Sequence, residues 1–184
     1  MPAMDDLLRS LDLQPSGDNS WTATNLAGHG FIFGGQLMGQ AIVAALAAHP
    51  GKTVKTLHTI FARSGAEADP LQVTLDPVPD GRSFGSTGIT ISQGDRTIVR
   101  CLALLSADEP DLIRHGDGAP DVPGPDDSRT DGEGDWQFQI IDDVDLLDPD
   151  AVGPPDLDVW TRFAGAPDRP EINQALIAYS TDAF

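Results

Sequence analysis

The stretch Gly34 to His49 reads GGQLMGQAIVAALAAH and is apolar nearly all round. A helix with no polar face has no side to turn to water, so in a soluble chain other elements must enclose it. Pro50-Gly51 ends it. Four strand-like segments follow, Thr53 to Arg63, Leu71 to Val78, Ser83 to Ser92 and Arg96 to Ser106, each bounded by turn residues. Asp80-Gly81 and Gln93-Gly94-Asp95 have the composition of hairpin loops, and Ile89-Thr90-Ile91 alternates like a strand with one wet face. One enclosed helix followed by an antiparallel meander predicts an α+β fold in which a curled sheet wraps the helix.

The flanks add shorter elements. Leu7, Leu8 and Leu11 recur at helical spacing, which predicts an amphipathic helix over Met4 to Leu13. Trp21 to Asn25 reads as a strand and Gly28-His29-Gly30 as a loop. From about Asp108 to Asp135 the chain is rich in Asp, Gly and Pro and reads as a linker. Order resumes at Trp136, a strand is expected within Asp156 to Phe163, and Pro170 opens a last helix through Tyr179. The expected organisation is a domain over 1–107, a linker over 108–135 and a second unit over 136–184, with no internal repeat evident.

Composition narrows the partners. The net charge is -18, from 29 acidic and 11 basic residues. Such a surface repels nucleic acid and anionic membranes. The single cysteine, Cys101, rules out an internal disulfide and reads as a small buried hydrophobe. The N-terminus is acidic, without a signal peptide's basic start, and no apolar run has membrane-spanning length, so the cytoplasm is expected.

Three blocks carry a family resemblance. They are Phe33-Gly34-Gly35-Gln36-Leu37-Met38-Gly39-Gln40-Ala41; Leu57-His58-Thr59-Ile60-Phe61-Ala62-Arg63-Ser64-Gly65 with Asp80-Gly81-Arg82-Ser83-Phe84; and Trp160-Thr161-Arg162 followed by Tyr179-Ser180-Thr181-Asp182. In this order they resemble the acyl-CoA thioesterase II family, whose members have a double hotdog fold. The resemblance implies a complete first hotdog, an incomplete second one, and hydrolysis of acyl-CoA to free acid and coenzyme A. It implies no cofactor, coenzyme A entering only as part of the substrate. The family reads Arg-Pro-Gly where this chain has Arg63-Ser64-Gly65. Its active site joins an aspartate, a threonine and a glutamine around a hydrolytic water. Asp182 aligns with the aspartate, and the other two positions would fall beyond Phe184.

Thioester hydrolysis needs a water aimed at the carbonyl carbon and donors aimed at its oxygen. The resemblance makes Asp182 the catalytic candidate; as a residue alone it reads equally as a solvated aspartate. Gly34, Gly35 and Gln36 are candidate substrate-binding residues. Bare N–H groups at a helix start can hold an oxyanion, while glycines there also permit close packing. His58 is a candidate substrate-lining residue, with no serine or cysteine paired to it by motif. His29, His49 and His115 have no metal-ligand spacing. Arg63 and Arg82 are candidates for the coenzyme A phosphates, or for pairing with the abundant carboxylates. A lone hotdog sheet exposes an apolar face, which predicts a homo-oligomer. Two alternatives stand: a catalytically impaired acyl-CoA-binding protein, and a hotdog hydratase on acyl thioesters. The hydratase would need an aspartate beside a histidine near the helix start, where His29 has none.

Overall fold

The computed structural model describes residues 2–28, 30–78, 80–110, 116, 118, 120–125, 132, 134–141, 148, 150, 152 and 156–183. His29, His115, Phe184 and much of the expected linker lie outside the described residues. In chain order the elements are α1 (Met4–Leu11), β1 (Gln14–Gly17), β2 (Ser20–Ala23), α2 (Gly34–Ala48), β3 (Lys52–Phe61), β4 (Leu71–Pro77), β5 (Phe84–Gln93), β6 (Arg96–Ala107), β7 (Trp136–Ile140), β8 (Val159–Phe163) and α3 (Pro170–Ser180). Among the described residues no helix is long and apolar enough to cross a membrane.

The enclosed helix is α2. One side carries Leu37, Ala41, Ala44 and Ala45 into a core built with Val73, Leu75, Ile89, Ile91, Val99, Ala103 and Leu105 of the sheet. Three alanines on that side let the sheet curl closely over the helix. The other side contributes Ile42 to a second core with Leu7, Leu11, Trp136, Ile172, Leu176 and Tyr179. Two cores on one helix explain why α2 has no polar face.

Six strands form an open antiparallel sheet in the order β1-β2-β4-β5-β6-β3. β3 lies at one edge, paired along its length with β6. Its expected end at Arg63 falls two residues earlier, because the N–H groups of Ala62 and Arg63 both turn to the carbonyl of Ile98. β1 was not expected: its sequence is Gln-Pro-Ser-Gly, all four residues are exposed, and it occupies the other edge, where proline is tolerated. Cys101 is buried on the inner face, as expected, and burial pushes its thiol pKa up.

The order of an antiparallel strand pair followed by a helix occurs twice among the described residues. β1 and β2 form a hairpin ahead of α2, and β7 and β8, far apart in sequence, form an antiparallel pair ahead of α3. The helices then align as Gln40-Ala41-Ile42-Val43-Ala44 beside Gln174-Ala175-Leu176-Ile177-Ala178. α2 and α3 pack antiparallel. A Cβ on Gly35 would strike the Tyr179 carbonyl, and one on Gly39 would lie 3.3 Å from the Ala175 oxygen. Residues without side chains at these two places are what bring the helix backbones together. Gln174 adds a clamp on the edge strand, its amide accepting from Val54 N–H at 3.1 Å and donating to Val54 O at 3.0 Å.

Candidate active site

The antiparallel packing brings the last turn of α3 onto the first turn of α2. Asp182 lies just past Thr181, which caps α3. Its Oδ2 accepts a hydrogen bond from the Gly35 N–H at 2.9 Å. The negative end of its own helix disfavours a carboxylate there, and the positive start of α2 offsets this. Gly34 makes room: a Cβ at that position would lie 2.6 Å from Asp182 Oδ2 and 2.9 Å from Phe61 Cζ. The amides of Gln36 and Leu37 turn back to Phe33 O. Among the described residues the Gly34 N–H alone in this first turn has no acceptor.

Beside this contact is a cleft of about 370 Å³ lined by Ile32, Gly34, Leu37, Phe61, Arg63, Ser64, Gly65 and Asp182. Ile32, Leu37 and Phe61 supply apolar wall, Asp182 one negative group and Arg63 one positive group. An aromatic cluster supports the α3 side. Tyr179 meets Phe33 edge-on at 5.0 Å and Trp136 at 5.3 Å, while Trp136 stacks on Phe163 at 5.6 Å. Burial, with the Asp182 charge second, pushes the Tyr179 phenol up to about 12. It therefore stays neutral at physiological pH.

The structure gathers Asp182, Gly34, Gly35 and Arg63 at one cleft. Gln36 is beside them in sequence but fully buried, its amide accepting from Leu26 N–H at 2.9 Å and donating to Asn25 Oδ1 at 3.0 Å. It braces a loop. His58 stands on β3 opposite Leu102, exposed on the sheet face turned away from α2. Arg82 lies on the β4–β5 connection, its side chain 94% exposed and 3.8 Å from Glu109. Phe61, Ser64 and Gly65 belong to the cleft although only their block, and not their roles, stood out in the sequence.

At the far end of α2 a second cluster forms. His49 Nδ1 meets Asp80 Oδ2 at 2.8 Å, and Lys52 Nζ reaches the same oxygen at 2.9 Å. The His49 hydrogen bond, then that of Lys52, holds the Asp80 carboxyl below its usual range. This ties the β4–β5 connection to the helix end. Among the described residues the histidine–aspartate contact is thus at the end of α2; His29, nearest its start, lies outside them.

Residues 22–106 match the model of the acyl-CoA thioesterase N-terminal domain. Acyl-coenzyme A thioesterase 8 of Mus musculus is 31% identical over 112 residues, 60% of this chain and 34% of the relative. The chain thus spans about a third of the length of the curated relatives it matches. Among solved structures, the tesB protein of Mycobacterium avium subs paratuberculosis superposes with a TM-score of 0.83 at 22% identity, covering 98% of this chain and 70% of that one. The acyl-CoA thioesterase II TesB2 from Mycobacterium marinum gives a TM-score of 0.75 at 26% identity, covering 96% and 66%. The fold is the α+β hotdog that the curled sheet around α2 describes, and residues 22–106 are similar to the N-terminal domain of acyl-CoA thioesterases.

Proposed function

We propose that this chain contributes the acyl-CoA cleft of a thioesterase, with Asp182 directing water at the thioester carbon. The observation that carries the reading is the Asp182 carboxylate bound to the Gly35 N–H at the lip of a partly apolar cleft. One carboxylate oxygen is held by the backbone, which fixes the group. The other is left to orient a water and take its proton as the carbonyl is attacked. The Gly35 amide is thereby spent on Asp182, so the oxyanion donor from this turn is the Gly34 N–H, a contact of the kind worth about 3–4 kcal/mol in a transition state. Collapse of the tetrahedral intermediate then releases coenzyme A as the thiolate.

In this reading Ile32, Leu37 and Phe61 meet the first acyl carbons, and Arg63 meets an anionic group of coenzyme A. Arg82 and His58 stand apart from the cleft and have no part in the step. The reading extends to self-association in the cytoplasm. Ile60, Phe84, Leu102 and Leu104 are exposed on the sheet face away from α2, an apolar surface that a second copy would cover.

The test compares the chain with its Asp182→Asn variant in acyl-CoA hydrolysis, alongside equilibrium binding of the same ligand. Turnover at least about a hundredfold lower in the variant, with binding kept, is expected. Equal turnover removes Asp182 from the mechanism. Binding without turnover by the unaltered chain favours the acyl-CoA-binding alternative.

A further inference from the structure

We infer that Gln93, which lies outside the cleft, is a positioning residue that holds Arg63 ready for the anionic part of the ligand. The inference rests on the acyl-CoA reading above. Arg63, Ser64 and Gly65 form one cleft wall, at the start of the connection between β3 and β4. That segment is pinned at both ends. Before it, the Ala62 N–H donates to Ile98 O at 2.9 Å. After it, the Gln93 amide grips the chain at three points: it accepts from Ala66 N–H at 2.9 Å and donates to Ala66 O at 2.6 Å and Asp69 O at 2.8 Å.

Gln93 ends β5 and is only 7% exposed, so its amide would be costly to bury without those partners. It also backs directly on the cleft wall. A Cβ built on Gly65 would lie 3.4 Å from Gln93 Oε1 and 2.7 Å from Ile32 Cδ1, another cleft residue. From the opposite side Asn25 donates to Glu67 O at 3.0 Å and Asp69 O at 2.7 Å, and is itself held by Gln36. The Glu67 carboxylate then accepts from Gly28 and Gly30 N–H, locking this loop to the one before α2.

Among the described residues Arg63 has no ion-pair partner. Its charge is free for a ligand, and its usefulness depends on how well its backbone is fixed beforehand. A side chain anchored on a preset wall loses less freedom on binding than one on a loose loop. Gln93 therefore acts through Arg63, and not through any contact with the ligand.

The experiment is a double-mutant cycle read by calorimetry on the full chain, using an S-alkyl coenzyme A thioether, which cannot be hydrolysed. Gln93→Ala is expected to raise Kd about tenfold in the natural background and less than about twofold when Arg63 is already alanine. An equal loss in both backgrounds, or no loss at all, overturns the inference. Asn25→Ala, which loosens the same loop from the other side, must show the same dependence on Arg63. It keeps the question decidable should Gln93→Ala fail to fold. Failure of the unaltered chain to bind the thioether overturns the acyl-CoA reading itself, whereas binding that ignores Gln93 overturns this inference alone.

Discussion

Replacing Gly35 by alanine adds one methyl group at the point where α2 and α3 touch. That methyl would overlap the Tyr179 carbonyl oxygen and lie 3.0 Å from its carbon and 2.6 Å from Phe33 Cε1. Carbon atoms in good contact sit about 3.5–4.0 Å apart. The obstacle is backbone, so no side-chain rotation relieves it and the helices must separate. Overpacking of this kind costs about 1–3 kcal/mol. Separation also weakens the Gly35–Asp182 hydrogen bond, for which about 1.5 kcal/mol is a fair weight for a partly exposed charged acceptor. Alanine returns at most about 1 kcal/mol through its better helix propensity. The net is a loss of about 2–3 kcal/mol, where an unobstructed helical glycine would gain stability on the same change. Urea unfolding followed by tryptophan fluorescence suits the test, because Trp136 packs 5.3 Å from Tyr179 and reports on this contact. A Gly35→Ala chain as stable as the original, or more so, would refute the close approach of the two helices and with it the placement of Asp182.

Two further outcomes concern pH. The chain has a single tyrosine, so spectrophotometric titration reads Tyr179 alone, and its midpoint should fall near 12 and not near the ordinary value of about 10. The neutral phenol is the form the fold favours, so this contribution is complete below pH 10 and is lost as pH rises toward 12. It amounts to about 3 kcal/mol, and Tyr179→Phe should abolish that alkaline decline; an unchanged decline would count against the buried phenol. Asp80 has the opposite sign: its carboxyl is held low by His49 and then Lys52, so its contribution is present above the usual carboxylate range and disappears as pH falls through the lowered value. The stability gap between the chain and Asp80→Asn, followed by denaturant unfolding from pH 7 downward, should therefore close in acid, and a constant gap would exclude the ion pair as its cause.

Much of this fold was legible because its signals are local. An apolar helix with no wet side, a proline-glycine stop and four strand-like segments bounded by turn residues suffice for a helix in a curled sheet. The edge strand β1 was hidden by Pro15 and Gly17, which have weak strand propensity and are held by pairing with β2. The likeness of α2 and α3 was hidden because the helices open differently, Gly34-Gly35 in one and Pro170-Glu171 in the other, and share only a central Gln-Ala stretch. Of the residues picked out for a site, Arg63 and Asp182 meet at the cleft, while Gln36 turns inward and His58 faces away. A strand's alternation decides the fate of His58, and it became readable only once Leu57 was seen packing toward the core.

By itself the sequence determined that α2 must be enclosed, that a strongly acidic surface repels nucleic acid and anionic membranes, and that blocks far apart in the chain share the order of the family they resemble. Only the tertiary structure decided where Asp182 lies. It lies 147 residues from Gly35, and nothing local draws a carboxylate to a distant amide. With Gly35 and Gly39 at the contact, α2 had to pack antiparallel on α3 before the positive start of one helix could hold the charge at the end of the other.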